Sequence, residues 1–248
     1  EGVAGADGAP FVMPRLELDE RASLAVDYLG AAGGPEDAQG VSALLGYQRP
    51  IAGHLALTAE AGLAWAQRGS RDGTSLTDLT IGGAYQAGAA TVARLALILP
   101  LASDEGDAAI PAAVHGALRV ADGERFDPTP VTVRLAGGHR WVGGKAFVQV
   151  DAGADARLGA DDERLRLRLG IAGGVRAIDR VWVVGELTTV SSILDPGAGE
   201  DFRHVLDLGL RVDVPRGVAG VRLQVPLDRS LRAADVYVAG FDYLVRFQ

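Results

Sequence analysis

Apolar and polar residues alternate along most of the chain. From Arg21 onward, apolar side chains recur at every second position in one segment after another, with few residues between segments. A period of two places these side chains on one face of a β-strand. The pattern predicts twelve strands, at roughly residues 21–30, 40–48, 53–66, 76–86, 90–101, 130–142, 145–158, 164–176, 180–191, 203–214, 218–227 and 235–247.

The lengths and faces of these segments are typical of strands that cross a membrane. Most segments reach the about 9–11 residues that a transmembrane strand needs, against about 5–6 in an ordinary globular strand. Residues 164–169, for example, alternate strictly between arginine and leucine. The apolar faces contain no Asp, Glu, Lys or Arg, and His139 is their most polar member. A charge that faces lipid costs about 2–4 kcal/mol near the midplane, so this exclusion indicates a bilayer.

The connections between the predicted strands alternate between long and short. Outer-membrane barrels have short periplasmic turns, longer extracellular loops and an even number of strands. We therefore expect both termini in the periplasm. The predicted short connections are Arg49–Ala52, Ala87–Ala89, Gly143–Gly144, Ala177–Asp179 and Pro215–Gly217, and the long ones are Ala31–Gln39, Gln67–Ser75, Ala102–Thr129, Gly159–Glu163, Ser192–Phe202 and Asp228–Ala234.

One apolar segment, Ile110–Ala121, lies between the predicted strands. Counting it as a thirteenth strand would break both the even number and the alternation of connections. Its small residues and Pro111 tolerate a short helix, although Gly116 is a poor interior residue. We predict a folded segment within a long extracellular loop at residues 102–129.

The last strand, residues 235–248, has an aromatic end. Gly240 is followed at two-residue steps by Tyr243, Val245 and Phe247. This pattern resembles the C-terminal targeting strand of bacterial outer-membrane barrels, although Gln248 follows the aromatic residue that is commonly last. The resemblance implies that the strand acts as an assembly signal.

These features together predict an all-β protein: a single antiparallel, up-and-down transmembrane β-barrel of twelve strands over residues 21–248. A soluble sandwich or lipocalin-type barrel also alternates. Such a barrel fills its interior with large apolar groups, and here Arg, Asp, Gly and Ala would have to cover the outside. Aromatic residues near the strand ends are expected to form two interfacial girdles, as in membrane barrels; the predicted girdle comprises Trp65, Tyr85, Trp141, Tyr237, Tyr243 and Phe247.

Composition narrows the class of protein further. The formal net charge of −8 and the lack of a basic cluster argue against nucleic acid as a partner. The absence of Cys excludes disulfides and thiolate metal sites. No window approaches the roughly 18 apolar residues of a transmembrane helix. Residues 1–20 read as a flexible leader, periplasmic or tucked into the barrel. They lack the features of a signal peptide, which we expect was removed before residue 1.

Residues 90–248 resemble a family of outer-membrane channels associated with meta-pathway aromatic degradation. The resemblance rests on a strand that runs into Leu-Pro at residues 97–101, a glycine-rich middle, Gly185-Glu186-Leu187, and the Val-Pro-Leu of residues 225–227. It implies a location in the bacterial outer membrane and a pore, but no defined solute.

The polar faces of the strands predict a charged lumen. One interpretation is a pore that favours polar or anionic solutes through its local field. The other is that the charges pair across strands and fill a narrow barrel. An arginine ladder at residues 164, 166 and 168 needs partners or a solute anion, and Asp151, Asp155 and Glu186 are the expected partners. The predicted lumen residues are Arg94, Arg134, Arg157, Arg164, Arg166, Arg168, Glu186, Asp207, Arg211, Arg222, Asp242 and Arg246.

Catalysis and metal binding have little support in the sequence. An outer-membrane lipase needs a Ser beside a His at the lipid boundary. No Ser or Thr is identified opposite His139, which we interpret as an interfacial residue. The acidic runs at 104–107 and 161–163 could hold Ca²⁺, but such runs are more often solvated. We predict a channel for small polar or anionic solutes, not an enzyme, without cofactor or metal and surrounded by lipid and lipopolysaccharide. The alternative is a structural barrel with a plugged lumen that docks another envelope protein.

Overall fold

The chain folds into a closed, antiparallel β-barrel. The computed structural model describes residues 10, 11, 13, 15–32, 37–159, 165–193 and 202–247. Within these residues thirteen strands belong to one sheet. Their bounds are β1 Arg21–Ala31, β2 Ala38–Ala52, β3 Leu55–Arg68, β4 Arg71–Leu76, β5 Leu79–Gly88, β6 Thr91–Leu99, β7 Val131–Gly143, β8 Ala146–Leu158, β9 Leu165–Ile178, β10 Val181–Ser192, β11 Phe202–Val214, β12 Gly217–Pro226 and β13 Val236–Arg246.

The thirteen strands of the described residues fill twelve positions around the barrel. β1 pairs with both β2 and β13, and β2 pairs with β3, which closes the ring. β4 pairs with Leu63–Arg68 of β3, whereas β5 pairs with Leu55–Glu60 of the same strand. β4 and β5 are therefore two halves of one barrel strand, separated by Thr77 and Asp78. The predicted twelve-stranded antiparallel barrel is confirmed.

The prediction of a long connection at Gln67–Ser75 was wrong. β3 and β4 form a tight hairpin in which Arg68 lies opposite Arg71. Gly69 has φ +58°, a conformation that glycine adopts at little cost. The strand was missed because residues 71–75 lack an apolar face. The predicted turn Arg49–Ala52 was also misplaced, since β2 extends to Ala52 and the turn follows it.

The ends of the barrel differ. Arg21 and Arg246, where the barrel begins and ends, lie opposite each other. Turns of two residues connect the strands at this end, which we call the short-turn end; they lie at 53–54, 89–90, 144–145, 179–180 and 215–216. The other end, the long-connection end, carries residues 100–130, which contain the α-helix α1 (Ala109–Leu118) between 3₁₀ turns at Gly106–Ala108 and Gly123–Phe126. A second short helix, α2 (Arg229–Ala233), precedes β13.

The two faces of the sheet have opposite character. Leu45, Leu135 and Leu169 on the outer face are more than half exposed. Asp27 and Gln149 on the inner face are almost completely buried. A soluble protein rarely exposes a large contiguous apolar surface, so the soluble-barrel alternative does not fit this arrangement. Within the described residues, no helix has the length and hydropathy to span a membrane.

Candidate functional site in the barrel lumen

A cavity of about 340 Å³ lies inside the barrel. It is lined by strand side chains and by two pieces of chain that fold into the lumen. Its charged lining comprises eight arginines and six carboxylates, and carboxylates outside the lining, such as Asp155 and Asp207, pair with the same arginines. These residues are Arg15, Arg21, Arg94, Arg125, Arg134, Arg168, Arg211, Arg222, Asp27, Glu60, Asp122, Glu124, Asp151 and Asp242.

The first piece of chain inside the lumen is the N-terminal segment, by which we mean the described residues between 10 and 20. The buried carboxylate of Glu186 accepts hydrogen bonds from the backbone N–H groups of Phe11 and Met13, the latter at 3.0 Å. Arg211 donates to the carbonyl oxygen of Pro10 at 2.7 Å. Strand side chains on β10 and β11 therefore satisfy backbone groups of this segment that would otherwise lack partners.

Apolar contacts fix the same segment. Phe11 and Met13 pack with Phe147 and Trp182, whose indole is fully buried inside the barrel. Glycines on the inner face make room for the segment. A Cβ at Gly170, for example, would lie 3.0 Å from the sulfur of Met13.

Residues 17–20 of the N-terminal segment are held at the short-turn end. Gln48 donates to the carbonyl oxygens of Glu17 and Asp19, both at 2.9 Å. The Glu17 carboxylate pairs with Arg140 at 2.8 Å. The backbone N–H of Phe247 donates to the carbonyl of Glu20 at 2.9 Å, which joins the segment to the end of β13.

The second piece of chain is the connection between β6 and β7, and we call its residues 102–129 the inward loop. Asp78, at the break between β4 and β5, accepts hydrogen bonds from the N–H groups of Leu101 and Ala102 at 2.9 and 3.0 Å. These bonds hold the chain where it leaves β6. In helix α1, Ile110 and Val114 pack against Leu29 and other apolar residues of the inner face. The predicted short helix exists, and it lies in the lumen.

Arg119 ties the inward loop to the first two strands. Its guanidinium, 1% exposed, donates to Asp27 of β1 at 2.8 Å and to Ser42 of β2 at 3.0 Å. It also bonds Asp122 of the same loop at 2.5 and 2.8 Å. Burial alone would raise the pKa of Asp122, but Arg119 outweighs it and lowers that pKa. Asp27 is shared, because Arg222 also contacts it at 2.9 Å.

Glu124 ties the inward loop to the opposite wall. It accepts hydrogen bonds from Arg134 of β7 at 2.5 Å and from Arg168 of β9 at 3.1 Å. Burial works against ionisation of Glu124, but the two arginines prevail and lower its pKa to about 2. Asp127 adds an ion pair with Arg157 of β8. Charged groups all around the barrel thus hold the loop in the lumen.

His115 is the buried histidine of helix α1. Its ring stacks on Phe126 with centroids 4.8 Å apart, and Nε2 lies 3.2 Å from the carbonyl oxygen of Trp65. Nδ1 has no hydrogen-bond partner among the described residues. Burial, reinforced by the charge of Arg119, lowers the pKa of His115 to about 4. The imidazole is therefore neutral at pH 7 and donates from Nε2.

The inner face carries the predicted lumen residues that the structure describes; Arg164 lies outside the described residues. Arg168 pairs with Glu124 and lies 3.6 Å from Asp155, whereas Glu186 binds the N-terminal segment. No residue of the inward loop or the N-terminal segment was among the predicted lumen residues, although a leader tucked into the barrel was one of the two alternatives for residues 1–20. The apolar pair Phe11 and Met13 in a polar leader was the available signal. The described lumen residues are Arg94, Arg134, Arg157, Arg166, Arg168, Glu186, Asp207, Arg211, Arg222, Asp242 and Arg246.

The predicted girdle residues lie on the outer face. Tyr28 and Tyr237 are in contact near the long-connection end, with ring centroids 6.1 Å apart. Tyr47 and Phe247 are in contact near the short-turn end, at 6.5 Å. The other predicted members, Trp65, Tyr85, Trp141 and Tyr243, point outward on β3, β5, β7 and β13.

Two histidines on the outer face have a threonine partner. Thr91 of β6 lies directly opposite His139 and bonds Nδ1 at 2.7 Å. Thr189 and His204 make the same pair on β10 and β11, at 2.9 Å. The inference that no Ser or Thr faces His139 was therefore wrong. Each pair satisfies polar groups that face an apolar surface. Among the described residues, no cluster of three or more His, Asp or Glu side chains could hold a metal ion.

Comparison with known proteins shows which solved structures share this fold. No family model and no curated protein matches the chain. An outer-membrane channel from Pseudomonas putida F1, described as COG4313, shares 13% identity with a TM-score of 0.63 and covers 99% of this chain and 100% of its own. The shared feature is the fold. The translocator domain of the autotransporter NalP from Neisseria meningitidis is 12% identical with a TM-score of 0.56, covering 92% of this chain and 88% of its own. The CymD monoaromatic hydrocarbon channel is 10% identical with a TM-score of 0.52, covering 93% and 89%.

Proposed function

We propose that this protein is an outer-membrane channel for the passive passage of small polar or anionic solutes. The observation that carries the proposal is a closed barrel with an apolar outer face, a charged inner face and an internal cavity of about 340 Å³. Such a barrel is stable in lipid, because closure satisfies every strand edge. The arginines that border the cavity would attract anions through their local field.

The described conformation is a closed state of this channel. The N-terminal segment and the inward loop both occupy the lumen, so passage of a solute requires that at least one of them moves. The inward loop is held by ion pairs to β1, β7, β8 and β9, and the N-terminal segment by hydrogen bonds to Glu186, Arg211 and Gln48. These contacts set the free energy of opening.

The orientation follows from the lengths of the connections. We assign the short-turn end, where both ends of the barrel meet, to the periplasm and the long-connection end to the outside. Lipid and lipopolysaccharide then surround the outer face. The narrower resemblance to channels of meta-pathway aromatic degradation stays a prediction.

A flux measurement tests the proposal against the structural-barrel alternative. Liposomes that contain the purified protein are diluted into isotonic solutions of sugars or small organic acids, and swelling is followed by light scattering. We expect swelling above that of protein-free liposomes, faster with the acids than with neutral solutes of equal size. No swelling with any solute would favour the structural barrel. If the purified protein stays in solution as single molecules without detergent, the membrane assignment itself is contradicted.

A further inference from the structure

Two arginines that line the cavity make only long ion pairs with their carboxylate partners. Nη2 of Arg15 lies 3.9 Å from Asp242, and Nη1 of Arg94 lies 3.9 Å from Asp151. Both distances are too long for a hydrogen bond. Among the described residues, neither of these two nitrogens has a hydrogen-bond partner. The two side chains are nevertheless only 10% and 15% exposed.

The other lumen arginines that carry the inward loop are different. Arg119 bonds Asp27, Asp122 and Ser42 at 3.0 Å or less. Arg134 donates to Asp155 at 2.7 and 2.8 Å and to Glu124 at 2.5 Å. The ion pairs of Arg119 and Arg134 are therefore short and multiple, whereas those of Arg15 and Arg94 measure 3.9 Å.

The carboxylates near the two arginines do not neutralise them fully. Asp242 bonds Arg211 at 2.7 Å, so its contact with Arg15 is a second and weaker one. Arg21 lies close enough to repel both Arg15 and Arg94, and its own carboxylate partners are Asp19 at 3.0 Å and Glu17 at 3.8 Å. Arg15, Arg21 and Arg94 all line the cavity. The result is a buried cluster of arginines and carboxylates in which Nη2 of Arg15 and Nη1 of Arg94 remain unused donors that border the cavity.

We propose that Arg15 and Arg94 form a binding site for an oxyanion, a carboxylate or phosphate group on a small solute. A guanidinium presents donors in a planar fork that matches both groups. Burial strengthens the attraction, because the effective dielectric constant is lower than in water. The cavity, at about 340 Å³, is at the small end of ligand sites and limits the solute to a small molecule. This inference deepens the proposed function and rests on it for its transport role.

Calorimetric titration of the purified full chain in detergent tests the site. The probes are inorganic phosphate and acetate, in buffers of constant chloride concentration. We expect saturable binding of one or both probes, and their relative affinity identifies the preferred group. Arg15→Gln and Arg94→Gln each remove a charged donor, so each should weaken binding about tenfold to hundredfold. Arg94→Lys keeps the charge and should restore part of the affinity. Arg49→Gln is the matched control, because Arg49 is exposed on β2.

The outcomes separate the site from the channel. Heat-dependent gel mobility shows first that each variant is a folded barrel. Three results would overturn the site even when liposomes swell. Neither probe binds, chloride displaces the probes as well as they displace each other, or Arg15→Gln and Arg94→Gln bind as strongly as Arg49→Gln. Saturable binding that both variants weaken supports the site even when liposomes do not swell, and in that case the proposed channel function is the part that fails.

Discussion

Replacing Arg119 with glutamine removes the cation that joins the inward loop to β1. Asp27 and Asp122 are buried and both bond this guanidinium. Breaking a buried ion pair by removing one partner costs about 3–5 kcal/mol. Asp27 keeps Arg222 at 2.9 Å and Asp122 keeps Arg125 at 3.6 Å, so we take the lower end, about 3 kcal/mol. This shifts the equilibrium between docked and undocked loop about 150-fold towards the undocked state.

Limited trypsin digestion measures this shift, since cleavage after Arg125 requires an undocked loop and follows its population. We expect Arg119→Gln to raise the rate of this cleavage about 150-fold. The matched control is Arg71→Gln, which breaks the ion pair between Arg71 and Asp107 of the same loop. Both side chains of this pair are about two-thirds exposed. Such a pair contributes at most about 1 kcal/mol, or roughly fivefold. Equal rates for the two variants would refute the view that buried charge holds the loop.

Three further perturbations test other contacts. The pKa of His115 in the docked loop is lowered to about 4 from an ordinary value near 6.5. The contribution of the neutral imidazole to docking of the inward loop is therefore complete above pH 6.5, and up to about 3 kcal/mol is lost as the pH falls to 4. Trypsin cleavage of the loop should accelerate over this pH range, and His115→Gln should abolish the change. A Cβ at Gly40 would lie 2.6 Å from Nε2 of His115, so Gly40→Ala should undock the loop at neutral pH, and unchanged proteolysis would contradict this packing. Thr91→Val leaves His139 without its partner and should lower the free energy of unfolding in urea by about 1–3 kcal/mol, whereas a change within error would mean that the pair adds no stability.

The barrel could be predicted because its signal is local. Alternation with a period of two assigns the residues of each segment to a face, and the count of alternating segments gives the even number of strands. β4 was not predicted because residues 71–75 are Arg-Asp-Gly-Thr-Ser and show no apolar alternation. The inner face of this half-strand contacts the inward loop instead of an apolar core. Gly73 shows the contact: a Cβ there would clash with the backbone of Asp107.

The lumen could not be predicted because its contacts join distant residues. Glu186 binds the backbone of Met13 across 173 positions in sequence, and Arg119 bonds Asp27 across 92. Alternation places a side chain on the inner face but does not give the register between strands. For the same reason the pair of Thr91 and His139 was invisible in the sequence, although the outward direction of His139 was predicted.

Single-channel recording in planar bilayers shows whether this barrel conducts ions. The full chain is compared with a variant that lacks residues 1–20, which include the segment bonded to Glu186, Arg211 and Gln48 in the lumen. We expect small or infrequent currents from the full chain, and larger, anion-selective currents from the variant. An absence of ion current from both proteins, with both shown to be folded by heat-dependent gel mobility, would contradict the conclusion that this barrel is a channel.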